Sequence, residues 1–414
     1  MTDTQTRQSP LLLYLSLFTG LLGMQMFMYS LIIFTNRFTG SSAVTGVVFY
    51  CVALPQLLTS FYAGTVIDRR SRKGILLLFT TLFALITAVL GLLAQFAFPR
   101  PLADGSVANV VGTDMIILLC VVSLAIGVTL TFLIPTRFAV LGDFFPDEDV
   151  GKATVMVNVM LLVSFGGAPF VSGAIKDVTS WHNLFYIIAG LTFLANPLLF
   201  LVRLNPAQSQ VTMNAWQNFK EGLNYIRNHR LALQLIVMVF IIMFVVGPIQ
   251  VVFPRFARVS LGLIEELPRG LYMGALGLGL LLGGISAAFF NNRRSRGLVV
   301  IYLALYVGAI IYFVPFIFNT GISATLLVIV GLCGGIASSL LPAALQSIIT
   351  NEFRGRVMSI YSLVFQGTTA TTGLITGLIA SKAGLGPAIQ ISGVVVIALT
   401  AIAFFTLTSV RNYD

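Results

Sequence analysis

The chain of 414 residues is 57% hydrophobic and only 9% charged, with a mean hydropathy of +0.97. A soluble globular domain carries about a quarter of its residues as charged side chains, so the composition excludes that class and predicts a polytopic membrane protein. The formal net charge of +10 sits in short loops between apolar runs, where it complements anionic lipid headgroups rather than nucleic acid.

Residues 1–10 are polar and short. The run after them is too long for the hydrophobic region of a signal peptide and lacks a small-residue cleavage site, so it reads as the first span. Twelve spans are expected, at 11–35, 43–67, 74–98, 115–138, 155–176, 183–203, 231–253, 270–290, 298–318, 322–346, 357–381 and 387–409. Each is long enough to cross a hydrocarbon core of about 30 Å. The expected class is an all-α integral membrane fold of twelve helices in two six-helix bundles, 1–203 and 231–414, joined by a linker at 204–230. In that linker Trp216, Phe219, Leu223 and Ile226 recur at helical spacing among Lys220, Glu221 and Arg227. They predict an amphipathic helix, either lying in the membrane interface or serving as a plain connector.

An even number of spans puts both ends on one side. The ends and the loops on that side hold 17 of the 24 lysines and arginines, against 7 on the other, so both ends are expected in the cytoplasm. Cys51, Cys120 and Cys333 fall inside apolar runs and read as small buried hydrophobes, with no disulfide framework or metal spacing.

The loop after the second span, Ala63 to Gly74, packs Asp68, Arg69, Arg70, Arg72 and Lys73 into six residues. Gly64 lets a helix end approach a neighbour closely. Asp68 can then cap a facing helix N-terminus or pair with an arginine. Taken alone, these residues also fit a plain positive-inside loop. The pattern Gly-x-x-x-Asp-Arg-x-x-Arg-Lys between two membrane helices resembles the signature loop of the major facilitator superfamily. The resemblance implies two six-helix halves related by a parallel repeat, with a substrate site between them near the midplane. Internal repetition agrees: Arg69-Arg70-Ser71-Arg72 is matched by Arg293-Arg294-Ser295-Arg296, Pro135 by Pro342, and Gly173 by Gly377. The second loop has Asn291 and Asn292 where the first has its aspartate, so it keeps the orientation charge without the same latch.

Further along, Gly166-Gly167-Ala168-Pro169-Phe170-Val171-Ser172-Gly173 resembles the antiporter motif of that superfamily, with Ala168 and Ser172 standing in place of two glycines. Pro169 and Gly173 suit a helix that bends and rolls at the seam between halves, and ordinary small-residue packing explains the same residues. The stretches Glu221-Gly222-Leu223-Asn224-Tyr225-Ile226-Arg227-Asn228-His229 and Arg354-Gly355-Arg356-Val357-Met358-Ser359 resemble the branch of enterobactin exporters and macrolide-efflux proteins.

The resemblance implies gating by Gly64, Asp68, Arg69 and Arg72. Arg137, read as ending the fourth span, joins them with Asp143, which can close a network with Arg69 or Arg72, while Asp68 meets the start of the eleventh span near Val357. None of the fourteen acidic residues lies at mid-membrane, where a carboxylate usually marks a proton or cation site. Proton-coupling candidates are therefore the helix-end carboxylates Asp68, Asp114 and Asp177, or coupling uses something else. His182 and His229 lie near interfaces.

The cavity implied by the fold is lined by spans one, four, seven and ten. It offers Gln25, Met28, Tyr29, Phe132, Gln234, Met238, Phe244 and Ser338 as substrate contacts, a soft surface with a few orienting polar groups. On the outer side Arg255, Arg258 and Arg269 form a basic patch, read as a solvated loop or as a receiver for an anionic substrate. No metal spacing, nucleophile–histidine pair or phosphate loop is present, so no enzyme, cofactor or metal is expected. The implied activity is export of amphipathic or lipophilic small molecules across a bacterial inner membrane by alternating access, with proton antiport one option for coupling. Siderophore export, lysolipid flipping and non-transporting sensing are the alternatives. The expected partners are a small-molecule substrate, membrane lipids and protons, with the chain acting as a monomer.

Overall fold

The computed structural model describes residues 10–96, 113–204, 215–290 and 296–413. Among them every regular element is helical. Single helices form the first five spans: α1 (Pro10–Thr39), α2 (Ser42–Arg69), α3 (Arg72–Phe96), α4 (Thr113–Phe144) and α5 (Asp147–Val178). The sixth span is the pair α6 (Trp181–Phe193) and α7 (Ala195–Leu201), followed by the linker helix α8 (Ala215–Asn228). The seventh is broken into α9 (Arg230–Met243), α10 (Val246–Val251) and α11 (Phe253–Val259). The last five are α12 (Glu266–Phe290), α13 (Arg296–Phe313), α14 (Thr320–Ile348), α15 (Asn351–Ala383) and α16 (Leu385–Thr406), and a short α17 (Thr408–Arg411) ends the chain. Twelve candidate membrane spans result.

Local chemistry sets the ends and breaks. Ser41, Ser180 and Asn319 each accept a backbone N–H two or three residues into the helix that follows, filling one of its orphan donors. Gly384, at φ 93°, ends α15 in a conformation that a side chain would strain. In the seventh span Pro248 and Pro254 each remove a backbone donor, and the helix breaks just ahead of each. Three helices outrun their hydropathy. α4 continues to Phe144, α5 begins at Asp147 rather than 155, and α15 begins at Asn351 rather than 357. The extra turns carry charges such as Glu148, Asp149, Lys152 and Arg354, which mark the membrane edge without ending the helix.

The spans alternate in direction, so both chain ends and α8 share one face, here the terminal face; the other is the distal face. Buried apolar side chains form two clusters. One gathers Leu13 to Val202. The other gathers Ile226 to Val410, with Ile32 and Phe49 reaching across from α1 and α2. Two seams join the first six spans to the last six: α2 against α15, and α5 against α12. The linker helix docks on α15. Gly222 backs onto the Arg356 backbone, Glu221 pairs with Arg356 at 2.6 Å, and Tyr225 stacks on Phe353. Trp216 and Leu223 stay exposed.

Candidate gating site

Glycine spacing decides how closely the two seams approach, because a helix without a Cβ lets another backbone in. At the distal ends the approach is backbone to backbone. A Cβ on Gly46 would lie 3.1 Å from the Leu374 Cα, and one on Gly166 would lie 3.0 Å from the Gly277 backbone. Cβ atoms on Gly173 and Gly270 would collide with the carbonyls of Glu266 and Pro169. At the terminal ends the opposite holds. Cβ atoms on Gly64, Gly142, Gly151 and Gly355 would meet nothing within 4 Å. The two halves of the chain therefore pack backbone to backbone at the distal ends, the seams stay in contact past their middle, where Leu162 meets Gly284 and Leu57 meets Gly367, and the glycines at the terminal helix ends lie beyond that contact.

Polar groups fasten the distal contact. Asp177, near the end of α5, accepts the Glu266 N–H at 2.9 Å and the Leu267 N–H at 2.8 Å. These are orphan donors at the positive end of the α12 dipole. Glu266 is buried, at 4% exposure, and its carboxylate is shared. Arg37 of α1 approaches one oxygen at 3.1 Å and Arg269, itself 2% exposed, the other at 3.1 Å. Arg37 also donates to the Ile264 carbonyl at 3.0 Å, and Arg255 donates to the Ser42 hydroxyl at 3.1 Å. Arg258 stands beside them. Its guanidinium is half-buried, among the like charges of Arg37, Arg269 and Arg255 and the opposing charge of Glu266.

This cluster bears on two expectations. The basic patch is not a solvated loop, because Arg269 is enclosed and paired. Asp177 is committed to a helix terminus in the other half of the chain. The sequence did carry a signal for the cluster. Glu266 and Arg269 stand three residues apart around Pro268, which marks a helix start, and charge at the edge of a span needs a partner.

At the terminal face, Arg72 pairs with Asp143 at 2.6 Å and also donates to the Ala139 carbonyl at 3.0 Å. Arg69 is exposed. The Asp68 side chain and residues 291–295 lie outside the described residues. Gly64 meets no neighbour here. Arg137 neither ends α4 nor joins Asp143. It turns inward, 3% exposed, with one nitrogen 3.6 Å from the Met24 sulfur. Asp114 is exposed in the first turn of α4.

Pro169 and Gly173 lie on the α5–α12 seam, against Gly270 and Glu266. The substrate candidates separate. Gln234 accepts the Val410 N–H at 3.0 Å, so it fastens the chain end. Met238 is fully enclosed, and Phe132 stacks on Phe79 of α3 at 4.2 Å. In this conformation Gln234 and Met238 are taken up in packing and Phe132, half-buried, rests on α3, because the period of a wholly apolar helix does not tell its inner face from its cavity face. Phe244 packs on the C-terminal cluster, and Ser338 donates to the Gly335 carbonyl. Gln25 is half-buried, and Met28 touches both clusters. Tyr29 crosses to the C-terminal cluster. Its hydroxyl is buried and, among the described residues, without a hydrogen-bond partner, within electrostatic reach of Glu266, Arg269 and Asp177.

Comparison with known proteins adds identity to this geometry. Residues 13–370 match the Major Facilitator Superfamily. Macrolide efflux protein A of Streptococcus pyogenes is 21% identical over 395 residues, covering 93% of this chain and 92% of that protein. The putative bacilysin exporter BacE of Bacillus amyloliquefaciens is 23% identical over 322 residues, covering 77% and 75%. Among solved structures, a bacterial homologue of the human lysosomal transporter Spinster, in an inward-facing and occupied conformation, superposes with a TM-score of 0.75 at 13% identity over 99% of this chain and 98% of that one. A D-xylose–proton symporter superposes at 0.77 with 14% identity over 95% and 96%.

Proposed function

This chain belongs to the major facilitator superfamily, a family of transporters rather than enzymes, and from that premise we propose that it exports amphipathic or lipophilic small molecules by alternating access. The reading places it in a bacterial cytoplasmic membrane with both ends in the cytoplasm, supported by the excess of cations on the terminal face. The distal face is then the outside, and the described conformation is inward-facing.

One observation carries the reading: the described polar contacts across the seams gather at the distal end, where Asp177 holds the start of α12, while glycines at the terminal helix ends face open space. Two bundles latched by polar groups at one end form one of the two states that alternating access requires. In the opposite state Gly64, Asp68, Arg69 and Arg72 meet α15 and the distal contacts open. The α5–α12 seam at Pro169 and Gly173 serves as the rolling surface. Tyr29, Met28 and Gln25 are the retained substrate contacts. The efflux relatives support the export direction.

The test is substrate flux in everted vesicles or proteoliposomes, with dyes, antibiotics and siderophores screened together and a pH gradient imposed or absent. Accumulation in everted vesicles is expected. Flux that follows the gradient makes the transporter an antiporter, and no flux of any compound overturns the export reading.

A further inference from the structure

Four guanidiniums crowd the distal mouth: Arg37 from α1, Arg255 and Arg258 from α11, and Arg269 from α12. Of the carboxylates near them Glu265 is exposed, and two are engaged. Glu266 is divided between Arg37 and Arg269, and Asp177 gives both oxygens to backbone N–H groups. Among the described residues Arg258 has no ion-pair or hydrogen-bond partner. It is half-buried and feels the like charges of Arg37, Arg269 and Arg255, opposed by Glu266 alone. Positive charge in a partly desolvated site is poorly compensated, and arginine forks match oxyanions in a bidentate way.

We propose that this mouth is a binding site for an external oxyanion, a phosphate or carboxylate group, seated on Arg258 with Arg37 and Arg255 as its further donors. The site joins the two halves of the chain, since Arg37 belongs to the first and Arg255 and Arg258 to the second. It is complete only while the distal contact is closed. By linkage, a ligand that binds one state better shifts the population toward that state, so the bound oxyanion locks the outside shut. A transported molecule bearing an acid group would then restrain its own export from the outer side. The lock rests on reading the distal contact as the outer gate; the binding site itself does not.

The experiment uses the full-length purified protein in uncharged detergent, with inorganic phosphate as the probe and chloride at matched ionic strength as the reference. Thermal unfolding and flux from right-side-out proteoliposomes are both read. Phosphate is expected to raise the unfolding midpoint beyond chloride. Arg258→Gln is expected to weaken that response roughly tenfold in phosphate concentration, while Arg258→Lys keeps part of it and guards against a misfolded glutamine variant. Lys152→Gln, on the terminal face, is expected to respond as wild type does. External phosphate is expected to slow flux in the wild type and not in Arg258→Gln. Nanodiscs of phosphatidylglycerol, compared with nanodiscs of a neutral glycolipid, decide the source. A midpoint raised by phosphatidylglycerol without phosphate assigns the site to a headgroup, and one raised only by added phosphate assigns it to a free anion. Equal stabilisation by chloride, or an unchanged response in Arg258→Gln, overturns the site and leaves alternating access standing. Binding that Arg258→Gln abolishes, with flux indifferent to external phosphate, overturns the lock alone.

Discussion

Asp177 caps a helix it does not belong to. Its two carboxylate oxygens take the N–H groups of Glu266 and Leu267, so the end of α5 and the start of α12 are joined across the boundary between the two halves. Charge at the first turn of a helix is worth about 0.3–1 kcal/mol, and up to about 2 when partly buried. Asp177→Asn keeps the shape and loses the charge. We expect it to shift the closed–open balance of the distal face by roughly fivefold toward open, taking about 1 kcal/mol. Labelling of a cysteine placed at Ser172, buried in the described conformation, reads this, and unchanged labelling rates would remove Asp177 from the gate.

Glu266 and Arg269 form a more enclosed pair, with side-chain exposures of 5% and 2%. Removing one member of a buried pair costs about 3–5 kcal/mol, because the other is left charged and enclosed. Arg37 adds less, since its side chain is 27% exposed and water screens it. Glu266→Gln should therefore lower the unfolding midpoint well beyond Arg37→Gln. The double variant Glu266→Leu with Arg269→Met should recover much of the loss, since neither charge remains. A double variant no better than the single would mean that packing, not charge, holds this corner.

Tyr29 supplies a test of substrate contact. Its hydroxyl is buried with no hydrogen-bond partner among the described residues, so removing it leaves none of them unsatisfied and costs the fold little. Tyr29→Phe is expected to unfold at the wild-type temperature or slightly above. If the hydroxyl meets substrate, KM for a transported compound rises about fivefold to tenfold, the worth of one hydrogen bond. A fall in unfolding temperature with KM unchanged would make Tyr29 a packing residue.

The fold was legible in the sequence because membrane spans announce themselves by length and apolar content alone. The repeat of Pro135 by Pro342, and the loop around Asp68, gave its symmetry. Side-chain facing was not legible. Gln234, Met238 and Phe132 lie on helices apolar all round, where no period separates a buried face from a cavity face, and they turned out to fasten or fill. Arg137 sits near a span end like any snorkelling arginine, yet it turns inward to Met24. The Arg37–Glu266 pair joins residues 229 apart, and no local pattern signals a contact of that range. Glu221 and Arg356 belong to two stretches that each resembled the exporter branch. That they pair with one another could be read only in three dimensions.

Two glycines separate packing from gating. Gly277 lies against Gly166 with no room for a Cβ, whereas Gly64 faces open space. Gly277→Ala should overpack the α5–α12 seam at about 1–3 kcal/mol, lowering the unfolding midpoint and slowing flux together. Gly64→Ala should leave the described conformation intact, and as a helical Gly→Ala change it gains up to about 1 kcal/mol. Its midpoint should stay or rise. If Gly64 must approach α15 when the terminal face closes, flux nevertheless falls, and Gly64→Leu falls further. Loss of transport without loss of stability is the signature of a contact made only in the other state. Full transport by Gly64→Leu would show that the loop before Asp68 is a membrane-orienting segment and no part of the gate.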